Sequence, residues 1–238
     1  MRPLRVTAHL EAGLAHATSW GISLDGLLAG VTHARLKAEL LAAGGEHTPL
    51  VDQDDPLDLE LPLDRCTLPQ DGDWHWAATC SWAVDGRGLM PDVRYWSGRV
   101  DHRHIDDLAD RVPMHLDEQA GRWRAHYMPV LVTTCSAVVW RCVGDPARIE
   151  ELLTEVPAIG KKRSHGQGRV LRWQVEPEEA SAWECGHTHP DGTLGRPSTP
   201  SCLRSSTIET SSLLQARTGL RPPLSHPSRQ RHLYLPRR

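Results

Sequence analysis

The sequence predicts an α+β domain in the order strand–helix–strand–strand–helix–strand, the split βαβ or ferredoxin-like (RRM-like) arrangement. Three observations predict it. Apolar residues alternate with period two in several stretches, and they follow a helical stripe in two others. A glycine-punctuated basic loop then separates the second helical stripe from the last alternating stretch.

Taken in order, Leu4, Val6, Ala8 and Leu10 alternate with Arg5, Thr7 and His9, the pattern of a half-buried strand. Ser23 stands where an N-cap belongs. Leu24, Leu27, Leu28 and Val31 fall at i, i+3, i+4 and i+7, so an amphipathic helix is expected to run through Leu41 and stop at Gly44-Gly45. After a Pro- and Asp-rich connection, Trp74, Trp76, Ala78, Cys80, Trp82 and Val84 alternate as a second strand. Residues 85–122 are charged, His-rich and broken by glycines, and read as an insertion. Strand character returns over 123–143, with a break expected at Pro129. Asp145 caps the next helix, Pro146 takes its first position, and Ile149, Leu152, Leu153 and Val156 form its buried stripe. Leu171, Trp173 and Val175 give the last strand. Residues 1–176 therefore read as one domain carrying the 85–122 insertion. Residues 177–238, rich in Ser, Thr, Pro, Gly and Arg, read as an irregular basic extension, either disordered or ordered by packing on the core or a partner.

The chain has 238 residues, 39% of them hydrophobic, enough to bury a core. No apolar run approaches the ~18 residues of a membrane span, and the N-terminus alternates too quickly for a signal peptide. A cytoplasmic protein without a membrane contact is expected. The six cysteines form no disulfide framework, and Cys80, Cys135 and Cys142 read as buried thiols. Cys185, His187, His189 and Cys202 have the side chains of a zinc site, but their C-x-H-x-H-x12-C order is not a common finger spacing. No metal and no cofactor are expected. The net charge of −3 hides an asymmetry: from Arg196 onward eight arginines face one acid, Glu209, leaving −10 on residues 1–195. The acidic run Asp52, Asp54, Asp55, Asp58 and Glu60 reads as a solvated loop. Basic patches on an acidic chain point to a polyanion contacted at chosen places.

The strongest such patch is Ile159-Gly160-Lys161-Lys162-Arg163-Ser164-His165-Gly166-Gln167-Gly168-Arg169-Val170. It holds two of the chain's three lysines and, with Arg172, five positive charges without an acid. Lys161, Lys162, Arg163 and Arg169 supply charge, while amides near Gly160, Gly166 and Gly168 are expected to donate to phosphate oxygens. The competing reading is an ordinary exposed turn. In the insertion, Tyr95, Trp96, Arg99 and Arg103 interleave aromatic rings with cations. That mixture suits base stacking and equally suits a surface hairpin with a solvated face. His165 is the one histidine placed to act as a general acid or base on RNA, but nothing pairs it with a second proton-handling group.

This layout with this loop resembles the RAMP superfamily of CRISPR-associated proteins, and within it the type IV subunit that holds the 5′ handle of the CRISPR RNA (the Cas-five type). Three segments carry the likeness: Leu24-Asp25-Gly26-Leu27-Leu28-Ala29; Gly144-Asp145-Pro146 through the basic loop; and Gly219-Leu220-Arg221-Pro222-Pro223 with Leu233-Tyr234-Leu235-Pro236. The resemblance implies a ferredoxin-like RAMP domain with a thumb-like insertion. It implies a non-catalytic subunit of an RNA-guided complex in a prokaryotic cell, active in antiviral defence and plasmid targeting. Its RNA-binding residues would be Gly160, Lys161, Lys162, Arg163, Ser164, His165, Gly166, Gln167, Gly168 and Arg169, with Tyr95, Trp96, Arg99 and Arg103 from the thumb. The implied partners are CRISPR RNA, repeated backbone subunits, a large subunit, target DNA through the complex and an accessory helicase. The alternative is a metal-independent CRISPR RNA-processing endoribonuclease using His165; a third reading is an unrelated ferredoxin-like RNA chaperone.

Overall fold

A computed structural model of the chain describes all residues except 17, 70–71, 86–91, 100, 102–116, 121–123, 205 and 238, and all their side chains except those of Val51 and His165. Four strands form the principal antiparallel sheet: β1 (Arg2–Leu10), β5 (Trp82–Ala83), β8 (Ala137–Gly144) and β9 (Val170–Pro177), in the order β5-β8-β1-β9. β1 is central, pairing along nearly its whole length with β8 on one side and β9 on the other. The helix α1 (Leu24–Ala42) follows β1 and the short β2 (Leu14–His16), and α2 (Pro146–Leu153) joins β8 to β9.

The alternation read in β1 is realised. Leu4, Val6, Ala8 and Leu10 are buried in one cluster with Leu24, Leu28, Trp140, Ile149 and Leu153. Ser23 caps α1 by accepting from the Gly26 amide at 3.2 Å, and Asp145 caps α2 through the amides of Ala147 and Arg148. Only the first turns of α1 pack inward: Leu24, Asp25, Leu28 and Ala29 are buried, whereas Leu36, Leu40 and Leu41 are exposed.

Two strand expectations need correcting. The 74–84 run does not form one strand: it breaks into β4 (His75–Trp76), which pairs with β3 (Arg65–Cys66), and β5, with Ala78 bridging Cys142 between them. Nor is the alternation realised as burial: residues 75–81 are all buried, His75 and Thr79 as completely as Ala78, whereas Val84 is exposed. The chain between 123 and 143 breaks at Thr134–Ser136 rather than at Pro129, giving β7 (His126–Thr133) and then β8. Pro129 is tolerated because β2 (Leu14–His16) pairs only with Leu131–Thr133, leaving Pro129 on a stretch of β7 with a single neighbour. That neighbour is β6 (Asp92–Gly98), so the described part of the insertion is a hairpin limb of a second sheet, β2-β7-β6. β2 follows β1 directly, and the second sheet grows from the end of the first.

Residues 177–238 are folded onto the same chain. They contain α3 (Ala182–His187), α4 (Pro200–Leu203) and the hairpin β10 (Gln215–Gly219) with β11 (Gln230–Tyr234), and they bury Leu194, Leu203, Leu220 and Leu233. Their basic surplus is spent within the molecule. Arg221 reaches Asp58 at 3.0 Å and Asp73 at 3.5 Å, Arg229 lies 3.4 Å from Asp55 and 3.3 Å from Asp58, and Arg231 pairs with Asp73 at 2.5 Å. The acidic run is therefore not merely a solvated loop: Asp55 and Asp58 are the partners of the C-terminal arginines.

Arg196 goes deepest. Its guanidinium is almost fully buried and donates to the carbonyls of Trp76, Ala78 and Leu220, with the fully buried Asp25 at 3.5 Å. Removing the carboxylate charge would strand that cation in the interior. Asp25→Asn is expected to cost about 3–5 kcal/mol in urea denaturation. Breaking the exposed Arg35 pairs to Glu151 and Glu155 by Arg35→Ala should leave the unfolding midpoint almost unmoved.

Candidate functional site

The basic loop leaves α2 after Val156 and is fastened to the turn between β1 and β2. The Gly168 amide donates to Gly13 O at 2.9 Å, the Lys161 amide to Ala15 O at 2.7 Å, the Ile159 amide to Gly168 O at 2.8 Å and the Glu11 amide to Arg169 O at 3.0 Å. Such close backbone approach leaves no room for side chains. A Cβ on Gly160 would sit 2.2 Å from Ala15 O, and one on Gly168 1.9 Å from Ile159 O; both glycines also take positive φ, at 80° and 67°. Gly166 is different: its φ is 79°, but no atom lies within 4 Å of where a Cβ would stand.

The sequence reading expected the amides around all three glycines to serve phosphate. The structure corrects this for two positions, because the Gly168 and Lys161 N–H groups are consumed in holding the loop to residues 13–15. The Gly166 amide closes the short 3₁₀ turn Arg163–His165 by donating to Arg163 O at 3.1 Å. What the loop offers outward is chiefly side-chain charge around an open backbone corner at Gly166.

Lys162 is the only non-glycine residue with positive φ among those described, at 58°. A lysine in the left-handed region costs roughly 1–2 kcal/mol, so something must hold it there. Its ammonium stands 3.0 Å from the centroid of the Trp96 ring, a cation–π contact made across from β6. Trp96 in turn packs toward Ala15, Val130 and Val132, and His126 tilts against its ring at 3.9 Å. The two stretches singled out separately in the sequence, the loop and the aromatic segment of the insertion, thus meet at one pair of residues.

The remaining candidates divide. Lys161, Arg163 and Ser164 are exposed on the loop, and neither Lys161, Lys162 nor Arg163 pairs with an acid among the described residues. Arg169 is exposed but bonded to Glu11 at 3.2 Å, and Arg172 contacts His9 at 3.1 Å. The carbonyl oxygen of the Gln167 side chain is buried without a hydrogen-bond partner among the described residues. Tyr95 is not brought to the loop: as the neighbour of Trp96 on a strand it points to the opposite face, where it stacks on Tyr127 at 4.7 Å. Both rings are largely exposed, and Tyr127 is an aromatic platform that the sequence reading missed. Its closeness to Tyr95 is visible only once the β6–β7 register, which sets Ser97 opposite Tyr127, is known. Arg99 is exposed beyond the end of β6; Arg103 and the side chain of His165 lie outside the described residues.

Of the four residues whose types suit zinc, Cys185 packs against Ala77 and Val143, and the His189 ring lies against Trp82 at 4.8 Å. The spacing-based grouping is not what the structure assembles. Among the described residues no helix is long and apolar enough to cross a membrane.

The family model for CRISPR type IV associated protein Csf3 matches residues 2–194, which include both sheets, α1, α2 and the whole basic loop. No curated protein matches the chain.

The geometry separates the glycines by role. Gly168→Ala is expected to lower the thermal unfolding midpoint clearly, since it adds a backbone clash to an unfavourable φ. Gly166→Ala should cost only the conformational part, about 1 kcal/mol. Parallel melts of the two variants check this.

Proposed function

The chain belongs to the type IV CRISPR-associated Csf3 family, and from that premise we propose that it is a non-catalytic subunit that grips CRISPR RNA at the corner built by Lys161, Lys162, Arg163, Gly166 and Trp96. The observation that carries this reading is the cation–π contact between Lys162 and Trp96, which fixes a strained lysine at the meeting point of the two sheets. Backbone outliers of this kind cluster at binding sites, which makes this corner the first candidate for one.

Two further features support RNA as the ligand. Lys161, Lys162 and Arg163 lie on consecutive positions of one loop and pair with no acid among the described residues, which leaves their charge for phosphates. Open space at Gly166 admits a backbone closely.

The order β5-β8-β1-β9, with α1 and α2 as the two connections, supports the ferredoxin-like RAMP architecture, and the β6–β7 hairpin corresponds to the thumb. In this reading the loop caps the 5′ handle. The exposed Tyr95–Tyr127 stack, facing away from the loop, serves a flanking nucleotide or a neighbouring backbone or large subunit. Recognition of target DNA, and any accessory helicase, then acts through the assembled complex, with the guide supplying sequence.

The test is a salt series of fluorescence-anisotropy titrations with a single-stranded RNA carrying the 5′ handle of the cognate repeat. Replacing Lys161, Lys162 and Arg163 together by Ala should weaken binding and flatten the plot of log K against log salt by about 2, roughly 0.7 per lost phosphate contact. An unchanged slope with unchanged affinity would remove the loop from the RNA-binding surface. RNA cleavage by the isolated chain would count against the non-catalytic reading.

A further inference from the structure

Behind the principal sheet, four side chains from distant parts of the chain converge. Cys66 ends β3, His75 begins β4, His187 ends α3, and Cys202 lies in α4. Their ligand atoms all lie within 4.8 Å of one another. His75, His187 and Cys202 are buried to within 2% of complete, and Cys66 is 9% exposed. The imidazoles face the sulfurs directly: Cys66 Sγ is 3.6 Å from His187 Nε2, and His75 Nε2 is 3.4 Å from Cys202 Sγ. In a tetrahedral zinc site, Zn–S near 2.3 Å and Zn–N near 2.0–2.1 Å require an S-to-N edge of about 3.6 Å.

The outer contacts set the imidazoles for the same task. His75 Nδ1 lies 2.8 Å from the Trp76 carbonyl, and His187 Nδ1 lies 2.8 Å from the Trp183 carbonyl. A carbonyl only accepts, so both Nδ1 atoms carry the proton and both Nε2 lone pairs point at the sulfurs. Trp183 also stacks flat on the His187 ring at 4.9 Å and fixes its plane.

We propose that Cys66, His75, His187 and Cys202 form a closed structural zinc site. Two thiolates and two neutral imidazoles balance one Zn²⁺, and the arrangement leaves no open position for a substrate, which separates a structural from a catalytic centre. The role follows from the elements that are joined. β3 and β4 have two residues each and α4 has four, too few to stand alone. The ligand pairs in contact are separated by 121 and 127 residues, so one ion would tie the 65–76 hairpin to the C-terminal segment. This inference does not rest on the RNA reading.

The full-length chain, purified without a metal-affinity step, should carry about one zinc per molecule by inductively coupled plasma mass spectrometry. Cys66→Ser and Cys202→Ser should lose it, while Cys185→Ser and His189→Asn, close to His187 in sequence but outside the cluster, should retain it. Where the serine variants do not fold, the wild-type protein still decides. Chelation should lower its melting temperature by several degrees, stoichiometric Zn²⁺ should restore it, and Co²⁺ should give the visible absorption of a tetrahedral thiolate site. Absence of bound zinc with a chelator-insensitive melt would overturn the proposal. So would zinc retained in Cys66→Ser, or a Cys66–Cys202 disulfide in the freshly isolated protein.

Discussion

The arrangement depends on the close backbone contact between residues 159–169 and the β1–β2 turn at Gly13–Ala15. β1 is the central strand of the principal sheet and β2 is the edge of the second, so the turn between them is where the two sheets join. By donating the amides of Lys161 and Gly168 to that turn, the loop is set at the junction. Glycine at 160 and 168 is the condition for the approach, because a single Cβ at either would overlap a carbonyl oxygen. That placement sets Lys162 against the Trp96 ring.

Charge is organised by the same economy. The chain carries a basic end and an acidic middle, and part of that polarity cancels internally: Arg221, Arg229 and Arg231 close onto Asp55, Asp58 and Asp73. Each of these pairs has at least one partly buried partner, which makes them structural rather than steering charges. Lys161, Lys162 and Arg163 of the loop stand out because they pair with no acid among the described residues, whereas Arg169 is bonded to Glu11. An acidic protein with an unneutralised basic corner attracts a polyanion to that corner and repels it elsewhere.

How much of this was legible in the sequence depended on how local the signal was. β1, α1, α2 and β9 were readable because period and caps are local: Ser23 and Asp145 fall where the helices begin, and the inward alternation of Leu4 through Leu10 holds residue by residue. The loop was readable from its composition. The 74–84 run was misread as one strand because its alternating residue types do not report which side is covered or which neighbour supplies hydrogen bonds: residues 75–81 are buried on both sides, only β5 finds β8, and β4 finds β3. Pro129 was given too much weight, since its position in β7 lacks the second neighbour that would need its missing N–H. Contacts between distant residues left no signal at all. Asp25 with Arg196, Tyr95 with Tyr127, and Cys66 and His75 with His187 and Cys202 join residues whose separation depends on the whole fold. The zinc-type residues near 185–202 were noticed and their spacing judged unlike a zinc finger, while nothing local pointed to Cys66 and His75, which the fold brings to His187 and Cys202.

The central claim is that the Gly160–Arg169 loop touches the leading nucleotides of a guide RNA. Photo-crosslinking the assembled complex with 4-thiouridine placed singly along the 5′ handle, followed by mass spectrometry of the linked peptides, tests it most directly. The account predicts adducts on the peptide spanning 160–169 and on the strand bearing Trp96. Adducts confined to the C-terminal segment or to the exposed end of α1, with none in the loop, would contradict it.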